Sequence, residues 1–389
     1  MTSPTGFNLV GYTSAPFGIG VAARNTIVVL THRGYDVAVL DLPLEGGRSG
    51  VDHSFDHLRI PDGTRLPHQV TIFHVNPRAL DAIFKAQPSW LPERPGFTAV
   101  VPFWELPVLP ESWMTALREV DLVLCPSSFI EHTFAATLPG PKPMVRHYPQ
   151  TAFLPEGVAP DRAKYGLPER GVLFALGFDA ASDLDRKNPW AAIEAFNRAF
   201  TRGEDAHLVI KVNDSLPSRS SQAALARLRE SVAGDSRVVV REEPMTYAGV
   251  LSLYASCDVY VSLHRSEGFG LCPMEAMLLG KPVIATAWSG TMDFMNDRNA
   301  CPVGGTPVPV SSPVYLTLLA GKPAVWADPS IDEAVVWMKR LYAEENLRKE
   351  IGERAQESMK ERQEECLRGE IFEAVIGMGE RKRDSIHIK

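Results

Sequence analysis

The sequence predicts an α/β protein built from two doubly wound domains in series. Three observations carry this. Short apolar runs alternate with helical stretches twice over, a proline-rich connection from about Pro149 to Pro168 separates the two series, and 389 residues exceed what one hydrophobic core usually supports. The expected division is residues 1–150 and 151–369, with 370–389 as a final helix.

In the first series, strands are expected at Phe7 to Tyr12, Asp36 to Leu40, Val70 to Val75, Thr98 to Phe103 and Leu122 to Cys125. Helices are expected to begin near Gly20, Ala79, Glu111 and Ser128. The loop Gly11-Tyr-Thr-Ser14-Ala-Pro-Phe-Gly18-Ile-Gly20 lies where a dinucleotide fold would place phosphate. It is longer than G-x-G-x-x-G, and no acidic residue follows at a persuasive second-strand end, which counts against a nicotinamide oxidoreductase. Gly18 and Gly20 are the candidates for close backbone approach to a ligand.

In the second series, strands are expected at Val172 to Leu176, His207 to Lys211, Val238 to Val240, Val259 to Leu263 and Pro282 to Ala285. Arg186 and Lys187 stand just before the expected helix Trp190 to Phe200, where amides and cationic side chains can jointly hold a diphosphate. Asp183 and Asp185, separated by Leu184, could hold a hard cation; they read more simply as loop acids before a helix start, so no metal is expected.

Val259 to Met292 is the most informative stretch. A strand is followed by the turn Glu267-Gly-Phe-Gly270, a helix Cys272 to Leu279 ended by Gly280-Lys-Pro282, and another strand. Such a turn lies at the carboxyl edge of a parallel sheet, so Glu267 would face a ligand. Glu275, about two turns into the helix, could accept hydrogen bonds from a vicinal diol, and the amides of Gly268, Phe269, Gly270 and Leu271 could meet hydroxyls or phosphate oxygens. From Ile331 to Ile376 the chain is rich in Glu, Lys, Arg and Leu at helical spacing.

Glu267 and Glu275 with Gly-Phe-Gly-Leu, Glu-Ala-Met, Gly-Lys-Pro-Val-Ile-Ala-Thr and Ser289-Gly290 resemble the E-x7-E signature of retaining glycosyltransferases of family 4. The resemblance implies the GT-B fold: two Rossmann-like domains facing a cleft, with a C-terminal helix returning to the first. It implies that Glu267 contacts the donor sugar, Glu275 the nucleotide ribose, and a cationic pair the departing diphosphate. Many relatives carry Gly-Arg directly after the corresponding strand. Here Gly177 is followed by Phe178, which leaves Arg186 as the substitute beside Lys187. In the first domain, the loops after two strands would face the same cleft. His74 or Asn76, depending on register, would lie near the sugar, while Trp104 and Glu105 suit stacking on and hydrogen bonding to an acceptor, although Trp104 reads equally well as core. The implied reaction moves a sugar from a nucleotide diphosphate to a glycan, lipid-linked or small-molecule acceptor without cofactor or metal. The alternative is a catalytically inactive subunit of the same fold that binds nucleotide sugar or serves in assembly.

The formal charge of −7 argues against nucleic acid as a partner. No apolar stretch reaches the roughly 18 residues of a spanning helix and no signal sequence is evident, so the expected location is cytoplasmic. The short basic run Arg381-Lys-Arg383 would support at most weak contact with the inner membrane face. Five scattered cysteines are expected to be reduced and structural.

Overall fold

The structure is a computed structural model that describes residues 6–387 apart from 45, 47–49, 88–95, 139 and 141–142. Two six-stranded sheets hold the chain together. The first contains β1 (Gly6–Gly11), β2 (Asp36–Asp41), β3 (Val70–His74), β4 (Phe97–Val100), β5 (Leu122–Cys125) and β6 (Met144–His147), in the order β2-β1-β3-β4-β5-β6. The second contains β7 (Val172–Asp179), β8 (Ala206–Asn213), β9 (Val238–Arg241), β10 (Val259–Ser262), β11 (Val283–Thr286) and β12 (Cys301–Val303), in the order β12-β11-β10-β7-β8-β9. All neighbours within these two sheets are parallel. Helices cover both faces, so β1, β3, β4, β5, β10 and β11 are buried along their whole length, which is why they are mainly apolar.

Every strand expected from the sequence is present. Three features are additional. β6 is an edge strand that carries Arg146 and is only half buried, and β12 spans three residues with Pro302 at its centre, so neither shows a strand pattern. Beyond them, β13 (Gly305–Pro309) and β14 (Val325–Pro329) form a separate antiparallel pair joined through the short helix Pro313–Leu318. β4 ends at Val100, earlier than expected; the Val101 amide still donates to the Phe73 carbonyl at 2.8 Å, and residues 102–105 continue outside the sheet.

The charged tail forms three helices, Ile331–Ala343, Glu345–Arg368 and Glu370–His387. Gly369, at φ 62°, supplies the left-handed residue that breaks the last two apart. The final helix returns to the first sheet: Phe372 and Val375 are buried with Phe7, Val70 and Phe97, and Lys382 Nζ donates to Asp121 at 2.8 Å. All five cysteines are free thiols. Among the described residues no helix is long and apolar enough to cross a membrane.

Candidate active site

In the second sheet β7 and β10 are neighbours, although the chain passes from β7 outward through β8 and β9 before returning on the other side as β10. The crevice outside the carboxyl ends of two such strands is where doubly wound sheets bind ligands. The segment after β7 carries Asp183 to Lys187, and the segment after β10 carries Glu267. Folding brings them into contact across 80 residues of sequence, with Lys187 Nζ 2.5 Å from Glu267 Oε1 and Arg186 Nη1 3.1 Å from Glu267 Oε2. Asp183 caps the short helix Leu184–Lys187 by accepting from the Arg186 amide at 2.8 Å. Asn188, at φ 50°, then turns the chain directly into the helix Pro189–Ala199, and its Nδ2 anchors the turn to the Leu263 carbonyl at 3.1 Å.

Arg186 is 4 % exposed. Its guanidinium lies between Glu267 and, at 3.6 Å, Glu105 of the first half, and it also donates to the Ser266 carbonyl at 2.9 Å. Burial alone would pull its pKa down; Glu105, Tyr315, Glu267 and Asp183 outweigh burial and raise it, so Arg186 is cationic. Glu267 shows the same contest from the acidic side. Burial opposes its charge, but Lys187, Arg186 and His264 win and hold its pKa at about 2. It is therefore a carboxylate at neutral pH, able to accept hydrogen bonds and unable to donate a proton.

Glu275 has a different environment. Its Oε1 accepts from the Tyr247 hydroxyl at 2.8 Å, and the Arg24 guanidinium stands 5.8 Å from the Tyr247 ring centre. Burial dominates over both partners and pushes the pKa of Glu275 to about 7 from an ordinary 4.5. A raised folded-state pKa means that this group's contribution to stability is complete below about pH 4.5 and is lost as pH rises through 7. Glu275→Gln cannot ionise, so its stability relative to wild type is expected to grow between pH 5 and pH 8. Urea midpoints of both proteins at the two pH values check this, and a difference independent of pH would refute the assignment.

Two glycines have demonstrable reasons. Gly270 precedes the helix Leu271–Leu278 at φ 94°, and a β-carbon there would fall 2.4 Å from Thr291 Cγ2. At Gly268 a β-carbon would fall 2.8 Å from the Trp104 carbonyl oxygen of the first half, while the Gly268 carbonyl accepts from Ser127 Oγ at 2.5 Å. Gly268 thus serves the approach of the two halves as well as the wall of the cleft.

A cavity of about 1110 Å³ lies between the halves, lined from the sequence candidates by Glu267, Lys187, Arg186, Glu275, Gly268, Phe269, Gly270, Leu271, Gly18, Asn76 and Glu105. Asn76 Oδ1 accepts from the Phe103 amide at 2.8 Å, and Glu105 is engaged by Arg186 and by the Tyr315 hydroxyl at 3.0 Å. Three candidates do not line it. Gly20 packs where a β-carbon would lie 2.6 Å from the carbonyls of Tyr12 and Ala15, so it accommodates the chain's own backbone. His74 is fully buried, neither ring nitrogen has a hydrogen-bond partner, and burial lowers its pKa to about 3; it is a neutral core histidine. Trp104 is 2 % exposed, packs edge-on against Trp113 and Tyr315, and donates from Nε1 to the Val108 carbonyl at 2.9 Å, so its ring is core. Sequence reasoning missed Arg24 and Tyr247, which line the cavity, and Ser312 and Tyr315, which stand behind it. None belongs to a motif.

Two parallel doubly wound sheets facing a cleft, with the last helix returned to the first sheet, define the GT-B class of glycosyltransferases. The structure is similar to that of sucrose-phosphate synthase from Thermosynechococcus elongatus (TM-score 0.65, 15% identity, covering 99% of this chain and 100% of that one). It is also similar to Anabaena HepE in complex with UDP and glucose (TM-score 0.65, 12% identity, 99% and 100% covered). At these identities the likeness shows the fold alone. Residues 116–328, more than half of the chain, match the family described as family 4 glycosyltransferase in conflict systems, and the chain belongs to that family. D-inositol 3-phosphate glycosyltransferase from Mycobacterium tuberculosis (strain ATCC 25618 / H37Rv) is 28% identical over 170 residues, 43% of this chain. The match spans 30% of that relative's length.

Proposed function

We propose that the chain transfers a sugar from a nucleotide diphosphate donor to an acceptor with retention at the anomeric carbon. The observation that carries this reading is the contact of Lys187 with Glu267 at the β7/β10 crevice, inside a cavity that Glu275 also lines. Glu275 would receive the ribose hydroxyls in place of the Tyr247 hydroxyl. The amides from Gly268 to Leu271, at the positive end of the helix Leu271–Leu278, would meet the diphosphate. Glu267, held ionised, would orient hydroxyls of the donor sugar. Because Arg186 is enclosed by two carboxylates, Lys187, with a fifth of its side chain exposed, is the cation placed to meet the charge that develops on the departing phosphate. In a front-face reaction that phosphate takes the acceptor's proton, so no protein nucleophile is required. Closure of the two halves over the ligands would exclude water.

No metal is part of this reading. Asp183 is committed to the Arg186 amide and to the Ser312 hydroxyl, a poor arrangement for holding a cation. The expected result in a thermal-shift titration is stabilisation that rises with the concentration of a nucleoside diphosphate, exceeds that from the nucleoside, and survives EDTA. Titrating UDP against uridine and GDP against guanosine, with and without Mg²⁺, checks it. Equal shifts from nucleoside and diphosphate would overturn the reading; a shift that needs Mg²⁺ would restore a metal role for Asp183 and Asp185.

A further inference from the structure

The segment 304–330 leaves the second sheet, crosses to the first half of the molecule and returns. β14 is tied to the second half, since the Ala327 amide donates to the Arg265 carbonyl at 2.9 Å and Asp328 pairs with Arg265 at 2.9 Å. The outward part is buried in the other half, where Tyr315, Leu319 and Trp326 join the cluster around Trp104 and Trp113. Two of its side chains then connect to Arg186 through two different carboxylates. The Tyr315 hydroxyl donates to Glu105 Oε2 at 3.0 Å, while Glu105 Oε1 faces Arg186 Nη2 at 3.6 Å. Ser312 occupies the N-cap position of the helix Pro313–Leu318 but makes no capping bond; its hydroxyl donates instead to Asp183, whose other oxygen accepts from the Arg186 amide. A third tie runs through Arg265, whose Nη1 donates to the Asp185 carbonyl at 2.7 Å and whose amide donates to the Arg186 carbonyl at 2.8 Å. Neither Ser312 nor Tyr315 lines the cavity.

We infer that this arm is a brace for the phosphate-facing segment, with Tyr315 and Ser312 as positioning residues that set Arg186, and through it Glu267 and Lys187, for the donor diphosphate. The inference rests on the proposed function. A hydroxyl spent on a distant carboxylate in place of its own helix end, and a tyrosine whose ring is core while its hydroxyl meets the carboxylate that faces Arg186, converge on one four-residue helix. Packing of the arm alone requires neither bond. Hydrogen bonds to charged groups are among the stronger ones, and their loss lets the held side chains wander from the geometry a ligand needs.

The test is the affinity of UDP and of GDP for the wild-type protein and for Tyr315→Phe, Glu105→Gln and the double variant, measured by calorimetry beside the corresponding nucleosides. Tyr315→Phe retains the ring and its packing. Whichever diphosphate the wild type prefers should bind Tyr315→Phe about tenfold more weakly, with nucleoside affinity changed by less than about twofold, because only the phosphate-facing groups have moved. Since Tyr315 acts through Glu105, the double variant should bind no more weakly than Glu105→Gln alone. Ser312→Ala gives an independent arm of the experiment and should show the same selective loss. Unchanged diphosphate affinity in both Tyr315→Phe and Ser312→Ala, equal losses for diphosphate and nucleoside, or additive losses in the double variant would overturn the brace while leaving the proposed function standing. A wild type that binds neither diphosphate would remove the proposed function and the brace with it.

Discussion

Lys187→Ala is expected to lower the turnover of sugar transfer by about 10²–10³-fold, the usual consequence of removing one fixed donor to charge that develops in a transition state. The protein should remain folded. Glu267 would still be paired with Arg186 at 3.1 Å, and Lys187 lies at the edge of the cavity with a fifth of its side chain exposed, so no buried charge is stranded. Circular dichroism melting establishes the fold, and single-turnover transfer, or donor hydrolysis where the acceptor is lacking, measures the chemical step. Turnover within tenfold of wild type would remove Lys187 from the phosphate site.

Arg186→Met is expected to act on stability first. It leaves the carboxylates of Glu105 and Glu267 facing one another across the place of a buried guanidinium, and it removes the bond to the Ser266 carbonyl. Breaking a buried ion pair by deleting one partner typically costs about 3–5 kcal/mol, because the remaining charge has lost its counterpart in a poorly solvated place. Lys187 stays beside Glu267, so the greater part of the penalty should fall on Glu105 and on the contact between halves that it makes. Adding Glu105→Gln to Arg186→Met should therefore recover part of the loss, whereas Glu105→Gln in the wild-type background should destabilise. Urea unfolding of the four proteins at pH 7 checks both statements; an Arg186→Met protein as stable as wild type would mean that the two carboxylates find water without it.

The contrast between these two neighbouring cations marks the limit of sequence reading here. Side by side in the chain, before an expected helix, Arg186 and Lys187 read as one diphosphate-holding pair. The distinction between them depends on where the guanidinium ends. Arg186 is directed to Glu105, which comes from the segment after β4, 81 positions earlier, and that separation carries no spacing rule. The loop after β3 shows the same limit. His74 and Asn76 were both open for a place near the sugar, and a slip of one or two residues at a strand end decides which side chain points into the crevice and which into the core. Trp104, equally ambiguous by composition, goes to the core because the chain leaves β4 early and the arm packs Tyr315 against its ring.

By itself the sequence determined what local chemistry can encode. The ten principal strands follow from short, mainly apolar runs that alternate with helical stretches. Their alternation with helices makes a parallel, doubly wound arrangement the expectation, while the order of the strands within each sheet appears only in the folded structure. The placement of Glu267 and Glu275 around a glycine turn follows from a strand–turn–helix unit in which each residue's place is set by neighbours within about ten positions. Tertiary structure alone decided the rest: the Tyr247 hydroxyl on Glu275, the enclosure of Arg186 by carboxylates from both halves, and the arm that carries Ser312 and Tyr315 to its back. The physical reason is that these are single polar contacts between segments roughly 28 to 210 residues apart. Backbone propensity and hydrophobic period constrain which face of an element is buried, but they say nothing of which distant polar atom will meet another until two sheets have closed on each other.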